Sequence, residues 1–185
     1  MSRPEVFCVC GCNGVGKSTY IKALFADKLP KVDPDLIKKE HNCSEIAAGK
    51  IALAQIDSFL AAKKTFVKES TLTSKFDFKT IEQAKALNYK IILYYLGVAN
   101  PKLLIYRIKN RVALGGHHID SDTVLRRYSK SSQNLIMAIH LCDHVFVFDN
   151  SFMYLQMVAT FARGQLTKLN FCPEWFKPVL KSFHV

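Results

Sequence analysis

Long apolar segments and paired cysteine motifs are both missing from this chain of 185 residues. No apolar run approaches the roughly 18–20 residues that a membrane-spanning helix requires, and the apolar stretch at residues 91–98 is far too short. The six cysteines include no C-x-x-C pair, so neither a zinc ribbon nor a thioredoxin-type site is predicted. We therefore expect no membrane span, and cysteines that act as small apolar residues in a reducing compartment.

The start of the sequence also lacks the features of a secretory leader. A strand-like run begins almost at once, with no basic segment and long apolar core before it. This pattern predicts a cytoplasmic protein.

Basic residues clearly outnumber acidic residues in this chain. Lys and Arg number 26 against 15 Asp and Glu, which gives a formal net charge of +11. A basic surface of this kind binds nucleic acid, but it also attracts small polyphosphates. No block of five like charges and no aromatic RNA-binding motif occurs, so charge alone leaves both alternatives open.

Short apolar runs alternate with amphipathic segments along the chain. The runs that predict strands are residues 6–11, 31–33, 65–70, 90–97 and 144–149. Several are apolar at nearly every position, which is typical of parallel strands covered by helices on both faces. We predict a single domain over residues 1–185, with a three-layer α/β fold and a five-stranded, mostly parallel sheet.

The end of the chain follows a different pattern. Pro173 and Pro178 bracket a short segment with Trp175 and Phe176, which predicts one short helix packed by these aromatic side chains. We therefore expect a C-terminal helical tail over about residues 152–185.

The strongest functional signal is G-C-N-G-V-G-K-S-T at residues 11–19. It matches G-x-x-x-x-G-K-[ST] in full and lies between a predicted strand and a predicted helix at residues 18–27. Such a loop directs backbone N–H groups and the N-terminus of a helix at anionic oxygens. We expect Lys17 to reach the β- and γ-phosphates of ATP, and Ser18 to ligate Mg²⁺. The predicted nucleotide-binding residues of this loop are Asn13, Gly14, Val15, Gly16, Lys17, Ser18 and Thr19.

Acidic residues follow two predicted strands at the edge where parallel sheets place their sites. Asp33 and Asp35 follow the second strand, and Glu69 lies at the end of the third. Phosphoryl transfer to a hydroxyl needs one carboxylate near the acceptor and another that holds the metal or the substrate. Asp35 is the candidate base and Asp33 the second candidate. Asp35 could instead be only a helix N-cap, and Glu69 only a member of a structural ion pair.

A glycine-rich interruption, G-G-H-H at residues 115–118, predicts a mobile loop across the carboxyl edge of the sheet. Four arginines flank this loop, namely Arg107, Arg111, Arg126 and Arg127. Guanidinium groups on a lid, about residues 107–130, could bridge phosphate oxygens and exclude water. A solvated basic face is the alternative for each of them. His117 and His118 are candidates for substrate contact, or are simply exposed.

Further motifs occur along most of the chain. They are residues 97–101, R-I-K-N-R-V at 107–112, G-G-H at 115–117, R-R-Y at 126–128, Ser131, N-L at 134–135, D-N-S at 149–151, E-S-T-L at 69–72 and V-D-P-D-L-I at 32–37. Together they resemble the zeta-toxin family of P-loop kinases, and most closely its small stand-alone members. The resemblance covers residues 6 to about 151.

This resemblance implies a specific reaction and partner. It implies a kinase that uses ATP and Mg²⁺ to phosphorylate a sugar hydroxyl of UDP-N-acetylglucosamine, with an antitoxin protein as a possible partner. It places the catalytic base at Asp35 and substrate contacts at Glu69 and nearby Thr71. It places the lid arginines at Arg111 and Arg127.

Three functions stay open at this point. The first is an ATP-dependent small-molecule kinase in which Asp35, Lys17, Arg111 and Arg127 are catalytic, with Arg126 on the nucleotide and His117 on the substrate. The second is a kinase for polynucleotide 5′-hydroxyl ends, which the basic surplus favours. The third is a nucleotide-dependent binding module without an acceptor, although no Asn-Lys-x-Asp guanine motif is present.

Overall fold

A computed structural model of the chain describes residues 3–26, 28–116 and 118–183. Within these residues seven strands form one sheet. The strands are β1 (Glu5–Cys10), β2 (Lys31–Val32), β3 (Phe66–Ser70), β4 (Lys90–Gly97), β5 (His144–Asp149), β6 (Gln156–Ala162) and β7 (Gln165–Leu169). The helices are α1 (Lys17–Phe25), α2 (Pro34–Glu40), α3 (Glu45–Ala61), α4 (Lys75–Ala86), α5 (Pro101–Ala113), α6 (Ser121–Leu141) and α7 (Lys177–Lys181). This alternation confirms the predicted α/β fold.

The strand order of the sheet is β2-β3-β1-β4-β5-β6-β7. Strands β1 to β5 are mutually parallel and match the five predicted runs, whereas β6 and β7 are antiparallel additions at one edge. The prediction of five strands is therefore wrong in number. Strand β7 is mostly exposed at the sheet edge, so its sequence, Q-L-T-K-L, lacks the apolar run that marks a buried strand.

The predicted helical tail is also wrong for its first half, which forms the β6–β7 hairpin. The hairpin turns at Arg163 and Gly164, both with positive φ, the conformation that a tight two-residue turn requires. The second half is predicted correctly: a 3₁₀ turn at Glu174–Phe176 leads into α7, and Trp175 and Phe176 are buried.

Two apolar clusters lie on opposite faces of the sheet, which makes three layers. Along β1, Cys8 and Cys10 face the cluster formed with α3, α4 and α6, while Val9 faces the cluster formed with α1 and α5. This alternation explains why the parallel strands are apolar at successive positions. All six cysteines are free, and burial raises the pKa of the Cys8 thiol to about 11. Among the described helices, none combines the length and the apolar character needed to cross a membrane.

The parallel strands place the polar loops at a single edge of the sheet. The loop after β1 leads into α1, and Asp33 after β2 begins α2. The segment after β3 leads into α4, and Asn150 directly follows β5. Because neighbouring parallel strands end on the same side, these segments meet above β1, β3 and β4.

The C-terminal segment packs against the ends of β4 and β5 through Trp175. Its indole Nε1 donates to Oδ2 of the buried Asp149 at 2.9 Å, which satisfies a carboxylate at the end of β5. The indole ring also packs on Gly97, where a Cβ would lie 2.4 Å from the ring. A glycine is therefore required at the end of β4 by close packing.

We predict that replacing glycine by alanine lowers the stability of the protein at position 97 and raises it at position 49. Gly97→Ala should lower the free energy of unfolding by about 1–3 kcal/mol, because the new methyl group overlaps the indole ring. Gly49→Ala, within α3 and with open space around it, should raise that free energy by about 0.5–1 kcal/mol through helix propensity. Urea denaturation measures both. Unchanged stability of Gly97→Ala would contradict the packing of Trp175.

Candidate functional site

The loop that joins β1 to α1 packs tightly on the rest of the molecule. Gly14 and Gly16 have φ values of 79° and 98°, a region that residues with side chains rarely adopt. A Cβ on Gly14 would lie 2.9 Å from the Leu104 carbonyl oxygen, and one on Gly16 would lie 2.8 Å from Nδ2 of Asn150. Both glycines are therefore required by conformation and by space, and the strand–loop–helix context predicted for this motif is confirmed.

The side chain of Lys17 lies inside this loop and is only 7% exposed. Its ammonium group donates to the carbonyl oxygens of Gly11 and Cys12 at 2.9 and 3.2 Å, and it lies 3.9 Å from Oε1 of Glu69. Lysine is costly to bury without such partners. The cation is thus held at the sheet edge, between the β1–α1 loop and the end of β3.

Glu69 is the point at which several site residues meet. The hydroxyl of Ser18 donates to both carboxylate oxygens at 3.1 Å, and Nζ of Lys31 lies 3.1 Å from Oε2. Lys31 also lies 3.0 Å from Oδ2 of Asp33. Partial burial works to lower the pKa of Lys31, but the charges of Glu69 and Asp33 outweigh it and raise that pKa. Glu69 therefore belongs to an ion pair and to the site at the same time.

The two candidate bases after β2 have different surroundings. Oδ1 of Asp33 accepts from the backbone N–H groups of Asp35 and Leu36 at 3.1 and 3.3 Å, so Asp33 is the N-cap of α2. The alternative that Asp35 is merely an N-cap is therefore wrong. Asp35 lies in the first turn of α2, is exposed, and lines the cavity described next.

A cavity of about 570 Å³ opens at this edge, between α2 and α3 on one side and the β3–α4 segment on the other. Its wall includes six of the candidate site residues, namely Lys17, Asp33, Asp35, Glu69, Thr71 and Arg127. Many of the other residues that line the cavity are apolar or small, namely Val32, Ile46, Ala48, Gly49, Ala52, Leu53, Ile56 and Phe76. The volume lies within the range of about 300–1,000 Å³ that is usual for small-molecule sites.

The charges on the cavity wall balance, unlike those of the whole chain. Five cationic and five acidic side chains line it among the described residues. Lys68 and Asp77 form a buried ion pair on this wall; burial works to lower the pKa of Lys68, but Asp77 holds it above its ordinary value. At the mouth, Nζ of Lys38 lies 3.5 Å from Oε1 of Glu45. The surplus of basic residues therefore lies outside the cavity.

The structure brings one of the predicted lid arginines to the site. Nη1 of Arg127 donates to Oδ1 of the buried Asn13 at 2.9 Å, so α6 begins against the β1–α1 loop. Arg126 is exposed on α6, and Arg111 is exposed in the last turn of α5. Neither of these two is among the described residues that line the cavity. His117 lies outside the described residues.

Two residues outside the β1–α1 loop support it: Asn150, to which sequence reasoning gave no role, and Arg107, which was predicted to act as a lid arginine. Nδ2 of Asn150 donates to the carbonyl oxygen of Val15 at 2.8 Å, and Nη2 of Arg107 donates to the carbonyl oxygen of Asn150 at 2.9 Å. Burial lowers the pKa of the Arg107 guanidinium. Arg107 is thus turned towards the end of β5. Only the position of Asn150 after a parallel strand could have indicated this contact.

The oxygen atoms around Ser18 suit a magnesium ion. The Ser18 hydroxyl and the Glu69 carboxylate are the oxygen ligands that Mg²⁺ prefers. In the described part of the chain, no group of three or more His, Cys, Asp and Glu side chains is arranged to hold a metal by itself. This fits Mg²⁺, which usually takes one or two protein ligands together with phosphate oxygens and water.

Comparisons with known proteins place the chain in a family and a fold. No family model matches the sequence. An uncharacterized protein of Haemophilus influenzae is 33% identical over 134 residues, which cover 69% of this chain and 94% of that protein.

Two solved structures are similar in fold. A candidate kinase of Chloroflexus aurantiacus has a TM-score of 0.57 at 20% identity, over 67% of this chain and 76% of that one. A structure from the PezAT chromosomal toxin–antitoxin system of Streptococcus pneumoniae has a TM-score of 0.60 at 16% identity, over 84% of this chain and 72% of that one. The chain therefore belongs to the family of the Haemophilus influenzae protein, and its fold is that of the P-loop kinases.

Proposed function

We propose that this protein is an ATP-dependent phosphotransferase that moves the γ-phosphoryl group to a hydroxyl of a small molecule. One observation carries the proposal: a single cavity is lined by Lys17 of the phosphate-binding loop at residues 11–19, hereafter the P-loop, by Asp35 and Glu69, and by Arg127. Phosphoryl transfer requires cations on the moving group and a carboxylate near the acceptor. These are the groups that meet here.

Each of these side chains has a role that its position supports. Asp35 orients the acceptor hydroxyl and takes its proton, since this exposed residue lines the cavity. Lys17 leaves the carbonyl oxygens of its own loop to contact the β- and γ-phosphates. Arg127 stabilises charge on the moving group from the start of α6. In this proposal Arg111 and Arg126 reach the phosphates through closure of the segment between α5 and α6, and His117 contacts the acceptor.

Magnesium fits the same scheme. Ser18 and Glu69 would hold the ion, which supplies positive charge next to the phosphate oxygens. Lys31 keeps the Glu69 carboxylate beside Ser18, through its 3.1 Å contact with Oε2.

We propose a nucleotide sugar, UDP-N-acetylglucosamine, as the first acceptor to test. The resemblance of the sequence motifs to zeta toxins supports it, and so does the size of the cavity. Thr71 and Glu69 line the cavity and would contact the sugar hydroxyls, Glu69 from beside the magnesium ion, and Lys38 and Lys50 also line it and would contact the diphosphate. An antitoxin protein is the corresponding candidate partner, and the likeness to a structure from a toxin–antitoxin system supports testing for one.

A polynucleotide 5′-hydroxyl kinase is the second candidate function, and the net charge of +11 favours it. The balanced charge of the cavity wall favours the small acceptor instead, because the basic surplus lies outside it. Activity on an oligonucleotide would fall steeply with salt, whereas activity on a small acceptor would not.

Transfer of label from [γ-³²P]ATP tests the proposal. The acceptors are UDP-N-acetylglucosamine, N-acetylglucosamine, uridine and a 5′-hydroxyl oligonucleotide, each at low and high salt. Labelling of a small acceptor with weak dependence on salt is the expected result. ATP binding without transfer to any of these and a wider metabolite panel would favour a binding module and overturn the proposal.

The assignment of the base makes a separate prediction. Asp35→Asn should lower the rate of transfer by about 100-fold or more, because the amide cannot accept the acceptor proton. ATP affinity should stay the same, since Asp33 and not Asp35 caps α2.

The matched control for this variant is Glu45→Gln, which removes another carboxylate of the cavity wall. It should change the rate by less than about twofold, because Glu45 is exposed and its ion pair with Lys38 lies at the surface. Steady-state kinetics compare the two variants. Full activity of Asp35→Asn would show that the base is another residue.

Gly49 tests whether the acceptor occupies the cavity. Gly49 lines the α3 wall, and a Cβ added to it would have no atom within 4 Å, so Gly49→Leu should project a side chain into the cavity. We expect the KM for the acceptor to rise about tenfold or more, with the KM for ATP unchanged. Gly49→Ala is the control and should keep the wild-type KM values. An unchanged acceptor KM in Gly49→Leu would place the acceptor elsewhere.

A further inference from the structure

The segment that follows β3 carries an unusual backbone conformation. Leu72 has a φ of +57°, although it is neither glycine nor asparagine, and its side chain is fully buried. Residues of this kind persist only where their surroundings hold them, and they concentrate at functional sites. The neighbours of Leu72, Thr71 and Thr73, both line the cavity, and their hydroxyls are 2.8 Å apart. The strained residue thus lies between two groups that face the proposed acceptor. We call residues 70–74 the acceptor loop.

Two hydrogen bonds hold Leu72 in this conformation. The hydroxyl of Ser70 accepts from the backbone N–H of Leu72 at 2.9 Å. Nδ2 of Asn134 donates to the Leu72 carbonyl oxygen at 2.8 Å. The first bond comes from within the loop, whereas the second comes from α6. Asn134 is 8% exposed, so its bond is shielded from water.

Helix α6 contacts both halves of the proposed site along one face. Arg127 bonds Asn13 in the P-loop, and Asn134 bonds the acceptor loop seven residues later. Residues seven apart lie on the same face, two turns and about 10 Å along the axis. Between them, the hydroxyl of Tyr95 on β4 donates to Oγ of Ser131 at 3.1 Å, which fixes the helix to the sheet.

We propose that Asn134 is a positioning residue for phosphoryl transfer: from α6 it holds the acceptor loop in the conformation that presents Thr71 and Thr73 to the acceptor. The inference rests on the proposed function, because it assigns the acceptor to the cavity that this loop lines. It adds a residue with no direct contact to either substrate. Asn134 acts through the backbone of Leu72, and α6 carries Arg127 on the same face. The orientation of the acceptor is thereby tied to the helix that carries the phosphate-side arginine.

The experiment compares Asn134→Ala with Tyr95→Phe in the full-length protein. Each variant loses one buried hydrogen bond of the same helix, but only the first loses a bond to the acceptor loop. Similar losses of thermal stability are expected. Hydrogen exchange at the amides of residues 72–74 should become about tenfold faster in Asn134→Ala only, as expected for one lost hydrogen bond. Exchange that is the same in both variants would overturn the proposal.

Kinetics distinguish a positioning role from a merely structural one. In Asn134→Ala the KM for UDP-N-acetylglucosamine should rise about tenfold, with the KM for ATP within twofold of wild type. Tyr95→Phe should change neither. If Asn134→Ala does not fold, Asn134→Asp, which keeps the shape of the side chain and replaces its amide donor, takes its place.

Failure of this proposal can be told apart from failure of the proposed function. A wild-type protein that transfers phosphate to none of the tested acceptors would overturn the proposed function. The exchange measurement needs no acceptor and still decides whether Asn134 holds the loop. Equal rises in both KM values would also count against a positioning role at the acceptor.

Discussion

The placement of the Lys17 ammonium group is the interaction on which the rest of the site depends. An ammonium with 7% exposure must be paired, and here it is surrounded by the carbonyl oxygens of its own loop and by Glu69. The glycines around it allow the loop to bend this tightly, with Asn150 packed against its outer side. The cation therefore faces the same edge of the sheet as the carboxylates after β2 and β3.

Parallel strands make this convergence possible. Because β1, β2 and β3 run in the same direction, the P-loop, the N-cap of α2 and the end of β3 all lie on one side of the sheet. Lys31 then joins Asp33 to Glu69, and Ser18 joins Glu69 to the P-loop. These contacts form a chain of polar groups beside the cavity, whose α3 wall consists largely of apolar and small residues.

Local sequence patterns were sufficient to predict the five parallel strands, but not the antiparallel strands β6 and β7 at the edge of the sheet. The buried runs of β1 and β4 are apolar at successive positions, so they are recognisable without knowledge of their neighbours. Among the described strands, β7 pairs with β6 alone and is mostly exposed, so its composition resembles that of a loop. The N-cap of α2 could be predicted from the sequence, because proline favours the first helical position and Pro34 therefore places the cap at Asp33. Contacts between distant segments could not be predicted in this way. No local sequence pattern marks the contact of Asn13 with Arg127 or that of Leu72 with Asn134.

The proposed function requires the loop around Lys17 to bind the phosphates of a nucleoside triphosphate. Isothermal titration calorimetry of the protein with ATP in magnesium buffer, repeated with Lys17→Met, measures this binding. We expect heat of binding to one site per chain in the wild-type protein, and its loss in the variant. No detectable binding to the wild-type protein, or equal binding to both, would contradict the proposed function.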